Sequence, residues 1–505
     1  MAGGVLVGYR IPLSTERLRR EVIATLSDRL ESEVELASID LHLFPRLEIT
    51  GAGLVLRHRR RLDVPLIAVR TFHVTANVRG MLKKRIANVT LEGLEIQIAS
   101  GRRDGAAGPT PTTAAGSERR VGRSQVLIDT LVADAATVTV IPRDAAKRSR
   151  TWQLHQLRLH SVGLDQAMPF ESRLTNAVPP GTIDTNGVFG PWNASEPGQT
   201  PIDGAFTFDN ADLGVFKGIS GTLHSRGTYT GTLQRIVADG KTTTPDFALE
   251  ISGHPITLNV DYQVVVDGTN GDTTLSRIAA SFLNSSLVAT GSVIDAPGEP
   301  GRTVLLDVDM AQARLEDILW LAVRTPKPTM TGALTLRTTF ELPPGPDDVV
   351  SKLRLNGQFT VEDGRFTDAT IQRRINTLSG RARGNIEDAH RVSSMFRGQF
   401  VLGEGRLRLA PLRFDIPGAL VDIQGEYALR PETLSFAGQV LMDAKISQTQ
   451  TGWKALLLKP LDPLFRRNGR TFVPITIHGS RSAPKFGIDV KRVFNKNRPP
   501  QTPPP

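Results

Sequence analysis

The chain opens with a helical pattern. Ser14 and Glu16 stand at the start of a segment in which apolar residues recur near helical spacing. These apolar residues are Leu18, Val22, Ile23, Leu26 and Leu30. Because this spacing places them on one side of a helix, the segment predicts an amphipathic helix over residues 15–31.

After this helix the apolar pattern changes to a period of two. Apolar and polar residues alternate over 39–43, 49–56, 66–78 and 86–98. Alternation of this kind is typical of strands with one buried face. Residues 1–100 are therefore interpreted as an N-terminal region that consists of a helix followed by strands.

The next segment, residues 101–124, has no apolar period and is rich in Gly, Pro, Ala and Thr. This composition predicts a flexible linker or loop. A β-rich middle region follows over 125–329, with a turn-rich stretch at 179–201. Near its end, Leu315, Ile318 and Leu319 lie on one side of a helix predicted over 311–323.

The region 330–493 has the clearest pattern. Ile371, Ile375 and Leu378 predict a helix, and short strands follow at 392–402, 407–416, 419–429, 434–442, 473–477 and 486–490. Glycine and proline residues separate the first four of these strands, as expected of an antiparallel meander. A short helix is predicted at 453–458. The last residues, 494–505, predict a disordered Pro-rich tail.

These elements amount to roughly 20 strands, which would span about 95 Å in one flat sheet, and sheets of that width curl or close. The predicted fold is therefore mainly β. It consists of a long, strongly twisted antiparallel sheet, curled into an elongated groove or open barrel, with the N-terminal helix and two or three short helices. Periodicity leaves open whether the apolar face forms an open trough or a filled core.

Composition narrows the class of protein. The chain has 505 residues, of which 39% are hydrophobic, and this excludes wholesale disorder. Cysteine is absent, which excludes a disulfide framework, thiolate metal sites and cysteine nucleophiles. No stretch reaches the 18 apolar residues or so of a membrane span. A short apolar run at 5–9 ends at Arg10, and it is interpreted either as the end of a membrane helix or signal, or as a frayed terminus.

Charge is unevenly distributed. Residues 1–150 contain 24 basic and 16 acidic side chains, and residues 451–505 contain 11 and 2, so both ends are basic. Arginine runs at 57–61 and 466–470 suit either a solvated surface or contact with anionic lipid. Aromatic residues are only 6% of the chain, and no familiar nucleic-acid module is visible. We therefore expect no nucleic-acid partner.

No catalytic or metal-binding motif is found in the sequence. The nine histidines include no His-Glu-x-x-His zinc motif. Gly240-Lys241-Thr242 resembles the end of a phosphate loop, but Arg235 stands where that loop requires a glycine. The acidic run at 267–272 lacks calcium-loop spacing and fits a tight turn. The expectation is a protein without catalytic residues, metal or cofactor.

Several segments together resemble one protein family. The helix at 15–30, the sequence Val34-Glu-Leu-Ala-Ser-Ile-Asp-Leu-His-Leu-Phe-Pro45 and the strand pattern at 86–98 are similar to the start of AsmA-family proteins. The region from Met330 through the segment at 371–379 to Lys485-Phe-Gly-Ile-Asp489 resembles the AsmA-like C-terminal region. The two stretches cover about half of the chain.

This resemblance implies a Gram-negative envelope protein in the periplasm, anchored in the inner membrane by an N-terminal helix and active in outer-membrane biogenesis. In this chain the anchor is missing apart from the short run at 5–9. Larger relatives in the family look like bridge-type lipid carriers with a β groove.

The resulting hypothesis is a protein that binds and transports phospholipid, or another acyl lipid, along an apolar groove. The predicted wall consists of residues from the C-terminal meander: Phe396, Phe400, Phe414, Ile416, Val421, Ile423, Tyr427, Phe436, Val440 and Met442. The alternative is an envelope scaffold that binds a protein partner through a free sheet edge, without lipid transport.

Overall fold

The computed structural model describes residues 15–30, 32–42, 47–58, 61–76, 85–99, 127–141, 150–163, 165–193, 196–295, 301–383, 392–445, 447, 465–467, 469–489 and 492. The predicted fold class is confirmed, because the chain is mostly β and its long curled sheet forms a groove, with few short helices. The predicted linker at 101–124, the helix at 453–458, the tail at 494–505 and the apolar run at 5–9 lie outside the described residues.

The described helices are α1 (Thr15–Leu30), α2 (Leu315–Ala322), the single turn α3 (Val349–Lys352) and α4 (Ala369–Ala382). The first ten strands are β1 (Ser32–Glu35), β2 (Ser38–His42), β3 (Leu47–His58), β4 (Arg61–Ala76), β5 (Arg85–Ala99), β6 (Leu127–Ile141), β7 (Arg150–Val162), β8 (Met168–Ala177), β9 (Pro180–Phe189) and β10 (Pro201–Asp212). The next eight are β11 (Ile219–Ser220), β12 (Thr222–Thr232), β13 (Arg235–Leu249), β14 (Ile256–Val266), β15 (Thr273–Phe282), β16 (Ser285–Asp295), β17 (Arg302–Arg314) and β18 (Met330–Leu342). The last eight are β19 (Arg354–Phe366), β20 (Ser394–Gly403), β21 (Arg406–Ile416), β22 (Ala419–Ala428), β23 (Thr433–Met442), β24 (Arg466–Arg467), β25 (Arg470–Ser480) and β26 (Ala483–Ile488).

The chain forms two compact units. Unit 1 comprises residues 1–211, 224–240 and 265–273, and unit 2 comprises 212–223, 241–264 and 274–505. In unit 1, β1 and β2 both pair with β3, and α1 packs on them through Arg19, whose guanidinium donates to Leu36 O (3.2 Å) and Ala37 O (3.3 Å). Antiparallel pairing then runs from β3 to β5 and from β6 to β10.

One pair in unit 1 is parallel. β5 and β6 run in the same direction, with Ile86 opposite Ile128 and Ile96 opposite Val138. A parallel connection needs a dozen or more residues to cross over, and the 27 positions between these strands satisfy that need. Val89, Leu94, Ala133 and other buried residues on this side of the sheet form the apolar cluster of unit 1.

Unit 2 contains a regular antiparallel meander from β16 to β23, which continues through β25 to β26. The four meander strands predicted between 392 and 442 are found within a few residues of the expected bounds. The helix predicted at 311–323 begins only at Leu315, because Ala313 and Arg314 still pair with β18 after a bulge. The turn-rich interpretation of 179–201 is wrong over 180–189, which forms β9 between β8 and β10.

The N-terminus of α4 carries a testable side-chain cap. The Asp368 carboxylate accepts hydrogen bonds from Thr370 N (2.8 Å) and Ile371 N (2.9 Å). We expect Asp368→Ala to lower the free energy of unfolding of unit 2 by about 1 kcal/mol, because two helix N–H groups lose their acceptor. Urea denaturation measures this change. Asp368→Asn is the control, since the amide oxygen can still accept, and an equal loss in both variants would contradict a capping role.

Candidate functional site

One side of the sheet in unit 2 is lined by rows of apolar side chains that cross the strands. The register places seven of them directly opposite one another on β17 to β23, and we call this row the first ladder. Its members are Leu306, Phe340, Leu355, Leu402, Leu407, Tyr427 and Leu434. Leu402 is buried and the other six are half-buried. The ladder is therefore a continuous apolar strip across seven neighbouring strands.

Further ladders run beside the first on the same side. The second, two residues along each strand, includes Val308, Phe400, Leu409, Phe436 and Ile477. The third includes Leu336, Phe359, Leu412, Ile423 and Ile475, and the fourth includes Val361, Phe396, Phe414, Val421, Val440 and Val473. Alternation of side chains along each strand explains why the ladders are two residues apart.

Two helices cover one strip of this apolar face. Ile375, Leu378 and Ala382 of α4 pack in a cluster with the buried residues Phe414 and Val440. Leu315, Ile318 and Leu321 of α2 pack in a second cluster that contains Met310 and Val361. α2 is also held by Asp317, whose carboxylate accepts from Asn284 N (3.0 Å) and Ser285 Oγ (2.7 Å). Among the described residues, these two clusters contain no member of the first ladder.

All ten residues of the predicted wall lie on this apolar face, but at different depths. Seven of them belong to, or pack against, the cluster under α4: Phe396, Phe414, Ile416, Val421, Ile423, Val440 and Met442. The rings of Phe396 and Phe414 stack there with centroids 4.4 Å apart. Phe400 and Phe436 lie in the second ladder and Tyr427 in the first. The structure thus places most of the predicted wall beneath a helix and three members outside the helix-covered strip.

The wall prediction missed Leu306, Phe340 and Leu355, which lie on β17, β18 and β19. Their strands show the same period-two alternation as the meander, so the sequence contained the signal for the face. The first ladder itself could not be predicted, because it depends on the register between neighbouring strands, and the sequence of a single strand does not determine that register.

The opposite side of the same strands is polar. Ion pairs there include Arg337 with Asp309 (2.8 Å), Arg397 with Asp415 (2.9 Å) and Arg406 with Glu426 (2.8 Å). Exposed pairs of this kind contribute at most about 1 kcal/mol each. This side also contains a depression of about 960 Å³ lined by Asp307, Asp309, Arg337 and Arg408, among others. Its lining mixes these charged residues with apolar ones, such as Val288, Val401 and Ala410.

A polar group stands at the end of the first ladder. The Glu432 carboxylate accepts from Arg481 Nη2 at 3.0 and 3.1 Å, and the charges of both side chains act on the pKa of the Tyr427 hydroxyl. Burial, followed by the charge of Glu432, raises the pKa of Tyr427, so its hydroxyl keeps its proton at neutral pH. The same turn carries Arg430, which pairs with Asp348 at 2.9 Å. Charged groups therefore border the ladder where β22 meets β23.

Within the described ranges, His, Asp and Glu side chains form no group of three that could hold a metal ion. No helix in that part of the chain combines the length and apolar character needed to cross a bilayer.

Comparison with known proteins gives no relative. No family model, curated protein or solved structure matches this chain significantly.

Proposed function

We propose that this protein binds phospholipid, or another acyl lipid, along the apolar face of unit 2 and passes it between membranes without chemical reaction. The observation that carries the proposal is the first ladder, an apolar strip over seven strands that lies outside the two helix-covered clusters. The half-buried state of six of its members leaves apolar area for a guest.

The physical need for such a strip follows from the cost of exposing acyl chains. Each methylene removed from water contributes about 0.8 kcal/mol, so two chains of about 16 carbons cost on the order of 25 kcal/mol in water. This cost prevents rapid diffusion of free phospholipid between membranes. A strip lined by Leu and Phe offers the chains a continuous apolar surface, and polar groups at the strand ends, such as Arg481, suit the head group.

The proposal includes the setting implied by the AsmA resemblance. In that setting the protein lies in the periplasm of a Gram-negative bacterium, is anchored in the inner membrane by an N-terminal helix, and supports outer-membrane biogenesis. The residue pattern at 15–98 and 330–489 supports this setting. The groove of the curled sheet is the form that a carrier of this kind needs.

Native mass spectrometry of the purified protein tests the proposal. We expect the protein to retain stoichiometric lipid, because the first ladder binds acyl chains more favourably than water does. Lipid extraction and quantification give the independent measure. If the protein carries no lipid after gentle purification from membranes that contain phospholipid, the proposed carrier function is wrong.

A second candidate function is an envelope scaffold, and β26 favours it. This edge strand exposes Phe486 (69%) and Ile488 (56%), which are large apolar side chains next to β25. An edge strand with exposed apolar residues can add a strand from a partner protein. The two candidates differ in the lipid content of the purified protein, since a scaffold has no need of lipid.

A further inference from the structure

The polar group at the end of the first ladder has the composition of a head-group site. It combines the ion pair of Arg481 and Glu432, joined at 3.0 and 3.1 Å, with the phenol hydroxyl of Tyr427, whose pKa responds to the charges of both. Tyr427 joins this group directly to the apolar face, because its ring stands between Leu407 and Leu434 in the first ladder. An acyl chain on the ladder would therefore end near these charges.

Arg481 retains hydrogen-bonding capacity in this arrangement. Its Nη2 is engaged by Glu432, while 29% of its side-chain surface is exposed and open to a ligand. A phosphate oxygen is the acceptor that a guanidinium binds best. The Arg481 backbone is fixed as well, because its N–H donates to Glu432 O at 2.8 Å.

The charges of the site cancel. Arg481 contributes one positive charge and Glu432 one negative charge. Arg430, in the same turn as Glu432, forms a second neutral pair with Asp348. A neutral site of this kind matches a head group that carries both signs, with its phosphate on Arg481 and its ammonium on Glu432. A purely anionic head group would bring its negative charge to Glu432 without compensation.

We infer that Tyr427, Arg481 and Glu432 form a site for a zwitterionic phosphoethanolamine-type head group, which selects this lipid over anionic glycerophospholipids. This inference rests on the proposed function, because the acyl chains of the same lipid occupy the first ladder. Arg481 and the Tyr427 hydroxyl bind the phosphate, and Glu432 binds the ammonium.

The experiment uses the full chain incubated with vesicles of equal amounts of phosphatidylethanolamine and phosphatidylglycerol with identical acyl chains. Native mass spectrometry then quantifies the lipids bound to the re-purified protein. We expect wild type to be enriched in phosphatidylethanolamine. Glu432→Gln should shift the ratio toward phosphatidylglycerol by about tenfold, because it removes one charge-assisted contact to the ammonium and leaves Arg481 unneutralised.

Arg481→Gln is the second variant, with diacylglycerol vesicles as a probe without a phosphate. We expect it to reduce binding of both phospholipids about tenfold and to leave diacylglycerol binding unchanged, because only the phosphate contact is lost. Glu426→Gln and Arg406→Gln are matched controls, since they make the same charge changes on the polar side, where Arg406 and Glu426 pair at 2.8 Å.

The outcomes separate the two proposals. Bound lipid whose head-group ratio is the same in wild type and Glu432→Gln overturns the head-group site and leaves lipid binding intact. A wild type that binds neither phospholipid nor diacylglycerol overturns both. Free phosphoethanolamine that binds wild type in the absence of any lipid binding shows a soluble ligand and overturns the lipid assignment. A ratio shift as large in the polar-side controls as in Glu432→Gln also overturns the site.

Discussion

Aspartate at Leu355 and Leu407 is expected to reduce bound lipid at least about tenfold, because each substitution removes about 1.5–3 kcal/mol of apolar contact and puts a charge beside the acyl chain. Both leucines are half-buried members of the first ladder, and neither belongs to the clusters under α2 and α4. We therefore expect the double variant to fold. Lipid per protein, from native mass spectrometry, is the measurement, with circular dichroism as the check on the strands.

The matched control is Asn356→Asp with Val401→Asp. These positions adjoin Leu355 and Leu402 along the chain but point to the polar side, where Val401 is 47% exposed. The control adds the same two negative charges to neighbouring strands, so a general effect of charge would appear in both proteins. Equal lipid content in the two double variants would place the bound lipid elsewhere than on the first ladder.

Alanine at Phe414 is expected to lower the free energy of unfolding of unit 2 by about 3–5 kcal/mol, the usual cost of replacing a buried phenylalanine. Phe414 is 8% exposed, stacks on Phe396 and packs in the cluster with α4. Because α4 covers this position, lipid per folded protein should be unchanged. Urea denaturation followed by far-UV circular dichroism measures the unfolding.

The control for this variant is Val401→Ala, an exposed position on the polar side, where a change of at most about 0.5 kcal/mol is expected. Loss of lipid from Phe414→Ala at full stability would mean that acyl chains reach the helix-covered strip. In that case the wall predicted from the meander, and not the first ladder, would be the binding surface.

The contrast between Phe414 and Leu407 shows what the periodicity of apolar residues predicts and what it does not. Both residues occupy apolar positions of β21, and alternation alone assigns both to the same side of the sheet. Their different environments come from α4, which packs on Phe414. A helix and a strand that meet across 30 or more residues of chain leave no trace in the local pattern of either one.

β9 shows the opposite kind of failure. Residues 180–189 include Pro180, Gly181 and Gly187, which are residue types that favour turns, so the sequence predicts a turn-rich stretch here. In the structure they pair on both sides, with β8 and β10. A Cβ at Gly187 would meet the backbone of Asp203 and Gly204, so glycine is required there by close strand packing. Local propensity was overridden by tertiary pairing.

The alternation of apolar and polar residues was sufficient to establish that this is a β protein with one apolar face, and to assign all ten wall residues to that face. Side-chain direction follows from backbone geometry within a strand, so it can be read locally. Four features could not be predicted from local sequence in this way. They are the strand register, the strip covered by α2 and α4, the parallel pairing of β5 with β6, and the proximity of Tyr427 to Arg481. Each depends on the packing of segments far apart in the chain, whose free energy exists only once the sheet has assembled.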